Sequence, residues 1–350
     1  MNKICIFCGK TPENKNNEHV LPQWLLKLTG DPNRIVKFGF NYSLEKEITF
    51  NWKNFTAPSC TKCNDKFAKL ESEIKPIVDK LLKKAKINST EAIKLLDWLD
   101  KIRIGLWLNY YYLENNKAQI NPRLFIENRV GKKDRFMQIH FLEYEKESKG
   151  LNAFGVETFS FQYNPSCVGL RINNLLIING SNDFIISKNC GFPFPKKIES
   201  VGNGMLALKE WEYNRTVTKE ISGLKLLKGV LTILQPIHTE MNYETNFFSD
   251  SYLIQNCIDR KKRIGTIFRF YNCDVIPIKD LNANLDYEQV TGNEVKFIGE
   301  LISKVYEGQN TFLSKLISGK DKLLEKTIEL NKKQMEFYRD YHKKTMPKNV

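Results

Sequence analysis

The chain has 350 residues, more than one ordinary compact core holds, and its 41% apolar and 12% aromatic content excludes a disordered protein. Its 54 Lys and Arg against 40 Asp and Glu leave a formal charge of +14, which suits a polyanionic partner because clustered cations release counterions from phosphates; a Lys-rich solvated surface would give the same count. No run approaches the roughly 18 to 20 apolar residues of a membrane span, and MNKICIFCGK holds no apolar stretch before a cleavage site, so a cytoplasmic protein without membrane contact is expected.

Residues 1–64 are dense in Cys, Asn, Pro and Gly and too poor in apolar runs to bury a core alone, so this segment needs a metal. It carries two Cys-x-x-Cys pairs, Cys5/Cys8 and Cys60/Cys63, at the commonest spacing for structural zinc; four thiolates close a tetrahedron around one Zn²⁺. Gly9 lets the first pair turn. In a reducing compartment the 8 cysteines argue for metal or free thiols before disulfides, and the scattered Cys167, Cys190, Cys257 and Cys273 read as small buried hydrophobes.

From Asp65, Phe67, Leu70, Ile74, Val78 and Leu81 recur at helical spacing towards Ile87, with Pro76 expected to kink or interrupt the helix. Ser89 or Thr90 can cap a second helix, whose apolar face (Ile93, Leu96, Trp98, Leu99, Ile102, Ile104) runs to about Leu113. Its aromatic stretch LWLNYYYL belongs in a core or at an interface with a protein partner or second copy.

After residue 135 the texture turns to strands: FMQIHFL, FGVETFSFQY, VGLRI, LLIINGSNDFIISK and TIFRFYNCDVIPI. A hairpin is expected around Asn179–Asp183, and another across IDRKKRIG, crowding Arg260, Lys261, Lys262 and Arg263 at one tip. Gly223–Leu234 reads equally as helix or strand. From about Asn293, Val295, Ile298, Leu301, Ile302 and Val305, then Leu313, Leu316, Ile317, Leu323, Leu324 and Ile328, mark helices that form either a docked tail or a partner-binding pair. The class is α+β: a zinc-stapled module over 1–88, helical connector and mixed antiparallel β-rich domain over 89–292, and a helical tail over 293–350.

Between the cysteine pairs lies Glu18-His19-Val20-Leu21-Pro22, and Asn64 follows the second pair. An acidic-His pair at a strand end, then Cys-x-x-Cys-Asn opening a helix, resembles the HNH nucleases of the treble-clef, ββα-metal class, closest in layout to their four-cysteine members. The resemblance covers roughly residues 3–75. It implies that His19 is the general base towards water, a task suited to imidazole, and that Glu18 and Asn64 offer oxygens to a catalytic Mg²⁺ or Mn²⁺ distinct from the zinc. Two departures stand out: the middle Asn of the motif has Asn54 as first candidate and Asn51 as second, and the stretch from Gly9 to Ser59 is longer than a minimal module, so EHVLPQWLLKL starts an inserted helix. Asn64 also reads as an ordinary helix cap and His19 as a buried hydrogen-bonded ring.

Arg34, Lys37, Lys53, Lys62 and Lys66 are candidate phosphate contacts, Lys62 foremost, and Glu71 or Glu73 could add a metal ligand. His140, His238 and His342 lack partners at ligand spacing, and no Gly-rich phosphate loop suggests NTP hydrolysis. The expected function is a metal-dependent endonuclease on nucleic acid, DNA first, with the remaining chain selecting targets or sensing a trigger, as in a bacterial anti-phage effector. The alternative is a zinc-stapled nucleic-acid or protein-binding adaptor without catalysis.

Overall fold

A computed structural model describes residues 3–13, 16–41, 46–112, 116, 120–131, 134–142, 148–182, 184, 187–188, 194–202, 205–212, 229–236, 257–259, 264–271, 274–288, 298–316 and 322–345. It is a mixed helical and antiparallel-sheet fold.

The N-terminal part begins with β1 (Asn16–His19), α1 (Gln23–Leu28), the hairpin β2 (Ile35–Asn41) to β3 (Lys46–Asn51), and a 3-10 turn over Trp52–Asn54. β4 (Thr56–Ser59) then returns antiparallel to β1, with Glu18 opposite Ala57 and His19 opposite Thr56. The inserted helix is thus α1, and the hairpin fills the rest of the long connection.

α2 (Thr61–Leu82) starts earlier than the apolar pattern indicated, because Cys60 is already its extended N-cap residue. Phe67, Ile74, Ile77, Val78 and Leu81 form its buried stripe. Pro76 does not interrupt it; both Pro76 and Ser72 are exposed, so the carbonyl deprived of an N–H partner can meet water.

β5 (Ile87–Asn88) leads into α3 (Ser89–Tyr112), whose cap is Asn88 rather than Ser89 or Thr90. Asn88 Oδ1 accepts from the Glu91 N–H and Glu91 Oε2 accepts from the Asn88 N–H, both at 2.9 Å, a reciprocal capping box. Ser89 and Thr90 instead donate N–H and hydroxyl to the carbonyls of Ala283 and Leu281, fastening this helix start to the far end of the chain. From Trp98 to Tyr110 every residue of α3 is buried, so the aromatic stretch is spent on the core as far as Tyr110, with Tyr111 and Tyr112 half-buried and Leu113 outside the described residues.

The sheet is built from β6 (Asp134–Phe141), β7 (Leu151–Phe154), then, past the helical turn α4 (Phe159–Tyr163), β8 (Cys167–Ile172) and β9 (Leu175–Asn182). A separate hairpin, β10 (Phe194–Gly202) and β11 (Met205–Glu212), precedes β12 (Leu231–Gln235). The short pair β13 (Cys257–Asp259) and β14 (Ile264–Gly265) flanks the expected basic tip, which lies outside the described residues, and β15 (Ile267–Tyr271), β16 (Asp274–Ile278) and β17 (Asn284–Leu285) follow. Seven strands form one antiparallel sheet in the order β16-β15-β12-β6-β9-β8-β7, and β17 pairs with β5.

Two expectations change here. FGVETFSFQY is not one strand, since Thr158 Oγ1 accepts the Phe161 N–H at 3.1 Å and caps α4. The expected hairpin at Asn179 is also absent: β9 runs through to Asn182, and the turn lies at Asn173–Asn174, because Asn179 is wholly buried and bonds the Phe136 carbonyl at 2.9 Å. Of the undecided 223–234 stretch, Leu231–Leu234 is strand and 223–228 lie outside the described residues.

Both faces of the sheet are covered. Met137, Ile139, Leu175, Ile177 and Ile233 join a core shared with α3 that extends from Cys5 to Leu285. Phe136, Leu176, Ile178 and Leu234, on the other face, pack with Leu301, Ile302, Val305 and Phe312 of α5 (Ile298–Leu316). α6 (Lys322–Thr345) joins them through Met335 and the Asn331–Asn310 amide bond of 2.7 Å, so the C-terminal pair is a docked tail. Val295 and Ile317 lie outside the described residues, as do the side chains of Leu316, Leu323 and Leu324. Among the described residues no helix is long and apolar enough to cross a membrane.

Candidate functional site

The first cysteine knuckle is a turn laid against β4. The Ile6 N–H donates to the Pro58 carbonyl (3.0 Å), the Cys5 N–H to the Lys10 carbonyl (2.8 Å) and the Gly9 N–H to the Cys5 carbonyl (2.9 Å). Gly9 sits at φ +77°, and a Cβ there would meet the Phe125 ring at 2.6 Å, so the turn requires glycine twice over. The second knuckle is the first turn of α2, closed by the Asn64 N–H on the Cys60 carbonyl at 2.9 Å.

The four Sγ atoms of Cys5, Cys8, Cys60 and Cys63 lie within 4.8 Å of one another, a donor set that could hold a structural zinc. The Cys60 N–H points at Cys5 Sγ (3.3 Å), and Cys8 Sγ is 3.9 Å from Cys60 Sγ. Burial pushes the Cys5 thiol up, but the Cys8, Cys60 and Phe7 backbones outweigh it and bring it below the ordinary thiol range. Burial and the neighbouring sulfurs push Cys60 up to about 11 and Cys63 further. A dication at the centre offsets that crowding of negative sulfurs.

Glu18 and His19 leave β1 on opposite faces, as successive strand residues do. His19 is half-buried; its Nε2 lies 3.1 Å from the Lys53 carbonyl and 3.3 Å from Gln23 Nε2. A carbonyl only accepts, so the closer contact assigns the proton to Nε2 and leaves the Nδ1 lone pair available. Lys53, one of the candidate phosphate contacts, thus orients His19 through its backbone while its side chain is exposed.

Glu18 turns inward. Its Oε1 accepts from Lys101 Nζ at 2.6 Å, and the same ammonium bonds Glu71 of α2. Lys101 is 1% exposed, and its Nζ lies 6.0 Å from the centre of the Phe7 ring within the first knuckle. Burial alone would lower the Lys101 ammonium, but the Glu71 and Glu18 carboxylates hold it above the ordinary lysine range, so it stays charged. Knuckle, β1, α2 and α3 therefore meet at one buried cation. Glu73 points elsewhere, pairing with Lys94 at 3.0 Å.

Asn64 is half-buried in the first turn of α2 and its amide makes no hydrogen bond to a described residue; Asn54 is exposed at the end of the 3-10 turn, and Asn51 ends β3. Lys62 is exposed beside a cleft of about 360 Å³ that it lines with Glu13, Cys60, Thr61 and Asp65. Lys66 pairs with Glu127 at 3.1 Å. Arg34 is committed to its own loop, donating to the Asp31 carbonyl (2.8 Å) and Thr29 Oγ1 (3.0 Å). Lys37 is on β2, its side chain outside the described residues.

One residue before Lys101, Asp100 opens a second buried cluster facing the sheet. It accepts from Arg103 (2.6 Å) and Arg135 (2.9 Å); Arg135 also reaches Asp97 (2.6 Å) and Gln235 (2.7 Å). The pairs of Lys101 with Glu18 and Glu71 and of Arg135 with Asp97 and Asp100 escaped the sequence reading because their members are far apart in the chain. Cys167 is buried. His140 is a core residue, 2% exposed, and burial lowers its titration to about 4. Cys190, Cys273 and His238 lie outside the described residues, as do the side chains of Cys257 and His342.

No family model, curated protein or solved structure matches this chain.

Proposed function

We propose that the chain is a metal-dependent endonuclease of the ββα-metal, HNH kind that hydrolyses phosphodiester bonds of nucleic acid, DNA in the first instance. One observation carries this reading: His19 stands on a strand antiparallel to β4, which runs into a thiol-clasped helix start, and Nε2 is fixed on a carbonyl while Nδ1 is left to act. The four thiols act as frame, joining the knuckle to the start of α2. His19 Nδ1 takes the proton of a water whose oxygen attacks phosphorus; the P–O3′ bond breaks and the 3′-oxygen is protonated from solvent.

A hard cation would draw on the donors left over: neither Glu18 Oε2 nor the Asn64 amide makes a bond to a described residue. Bound Mg²⁺ or Mn²⁺ would supply positive charge at the phosphate and leaving oxygen. Exposed Lys62 and Lys53 would contact the backbone of the nucleic acid. The test is plasmid cleavage by the purified chain with Mg²⁺ or Mn²⁺. His19→Ala should abolish it with zinc content unchanged, and equal cutting by the variant removes His19 from the role of base.

A second reading has its own support. The Glu18 carboxylate is already engaged by Lys101, as it would be in a zinc-stapled adaptor that binds nucleic acid or protein without cutting. That reading predicts nucleic-acid binding that falls steeply with salt and no divalent-dependent cleavage.

A further inference from the structure

His19 Nε2 meets a group from each of two elements, and both elements are tied to the core. The Lys53 carbonyl, 3.1 Å away, belongs to the Trp52–Asn54 turn. That turn is held by the Lys53 N–H on the Pro32 carbonyl at 3.0 Å and by Trp52, which is buried against Phe50 and Phe55. Gln23, whose Nε2 is 3.3 Å from the same ring nitrogen, opens α1. Leu25 and Leu26 of α1 are wholly buried, and Trp24 stacks on Trp98 of α3 at 6.2 Å. Gln23 itself is exposed, so its side chain is spent on His19 rather than on the core.

One ring nitrogen cannot satisfy both neighbours in every arrangement. Without a proton on Nε2, its lone pair would face the Lys53 carbonyl oxygen with no hydrogen between them. With the proton there, the Lys53 contact is a hydrogen bond, and the Gln23 atom facing the same N–H has to be an acceptor. A half-turn of the Gln23 amide exchanges its nitrogen and oxygen in place and supplies one.

We propose that Gln23 is a positioning residue for His19: its amide oxygen shares the Nε2–H with the Lys53 carbonyl and holds the imidazole in the neutral tautomer that leaves the Nδ1 lone pair open. The role in cleavage rests on the nuclease reading, whereas the tautomer does not. In the opposite tautomer the Nε2 lone pair would face two oxygens on two fixed elements, and both contacts would turn repulsive. Acceptors from α1 and from the 3-10 turn also set the plane of the ring, which a single acceptor leaves free to rotate about one bond.

The experiment reads the ring-nitrogen NMR signals of His19, assigned by their loss in His19→Ala, on the zinc-loaded full chain at a pH above the ordinary imidazole range. Gln23→Met removes the acceptor at similar length, and Gln23→Glu offers acceptors only. Wild type should carry the proton on Nε2. Gln23→Met should raise the Nδ1–H share relative to Nε2–H about fivefold, the effect of losing one hydrogen bond of ordinary net strength, and Gln23→Glu should restore the wild-type ratio. Single-turnover cleavage should fall and recover in the same order. A wild-type ratio in Gln23→Met overturns the proposal, as does a wild-type ring protonated on Nδ1 or a Gln23→Glu chain that behaves like Gln23→Met. The expected tautomer pattern with no cleavage by any chain keeps Gln23 as the partner that orients His19 and removes the nuclease reading.

Discussion

Gly105 tests how β1 is seated. It lies in the middle of α3, where nothing in its backbone demands glycine, so on helix propensity alone Gly105→Ala should stabilise by roughly 1 kcal/mol. The structure predicts the reverse. A Cβ at 105 would stand 2.9 Å from Val20 Cγ1 and 3.5 Å from Cγ2. Val20 is 1% exposed, β-branched and unable to swing aside, so the strand end must move by a few tenths of an ångström. Overpacking of this kind costs about 1 to 3 kcal/mol, which cancels the propensity gain and leaves the variant less stable by up to about 2 kcal/mol. The displaced segment carries Glu18 and His19, so on the proposed nuclease reading single-turnover cleavage should fall by about tenfold even where the fold survives. Val20→Ala on the Gly105→Ala background should restore both readouts in part, a coupling that a double-mutant cycle measures directly. A Gly105→Ala chain that melts later than wild type and cuts equally fast would refute the close seating of β1 on α3.

Cys60→Ser should take the zinc content from one ion to none and lower the thermal midpoint, since zinc at a thousandfold over its dissociation constant adds about 4 kcal/mol; a variant retaining its zinc and its midpoint would show that the thiol cluster is not the binding site. His140 predicts a specific acid sensitivity. Its folded-state titration is lowered from 6.5 to about 4 by burial, so as pH falls below 6.5 the unfolded chain takes a proton that the folded chain refuses. Stability from neutral His140 is thus full above pH 6.5 and lost towards pH 4, by about 3 kcal/mol. His140→Leu should remove that loss, so the wild-type-minus-variant stability difference should fall by about 3 kcal/mol from pH 6.5 to pH 4 in chemical denaturation; a difference that stays constant across the window counts against burial as the cause.

How much of this was legible depends on the distance over which each signal acts. The four thiols could be read because knuckle spacing is local and two pairs must share one ion, and the β1, β4, α2 order follows from where Glu18-His19 and Asn64 stand relative to them. The cap of α3 was equally local, since Asn88 and Glu91 form an N-x-x-E signature, yet Ser89 and Thr90 also satisfy capping chemistry and only the distant Ala283 and Leu281 carbonyls decide between them. Asn179 misled for the same reason. Asn-Gly-Ser-Asn is turn chemistry in water, but within a sheet covered on both faces Asn179 serves Arg103 and the Phe136 carbonyl.

Asp100, Lys101 and Arg103 carried a signal that periodicity alone does not use. In surroundings of the form WLDKIRIGLWL, apolar residues fall on every side of the helix, so no solvated face remains for three charges within four positions. A helix of that kind is central, and charges in it must be paired with others that are also buried, because an isolated one costs several kcal/mol. Acidic partners for Lys101 then have to come from outside α3. Lys101 and Asp100 point about 100° apart around the helix, so one charge serves the sheet and the other the N-terminal module. Glu18 is the buried acidic residue of β1, which makes the 2.6 Å bond across 83 positions of chain the consequence of a helix with nowhere to put an unpaired lysine.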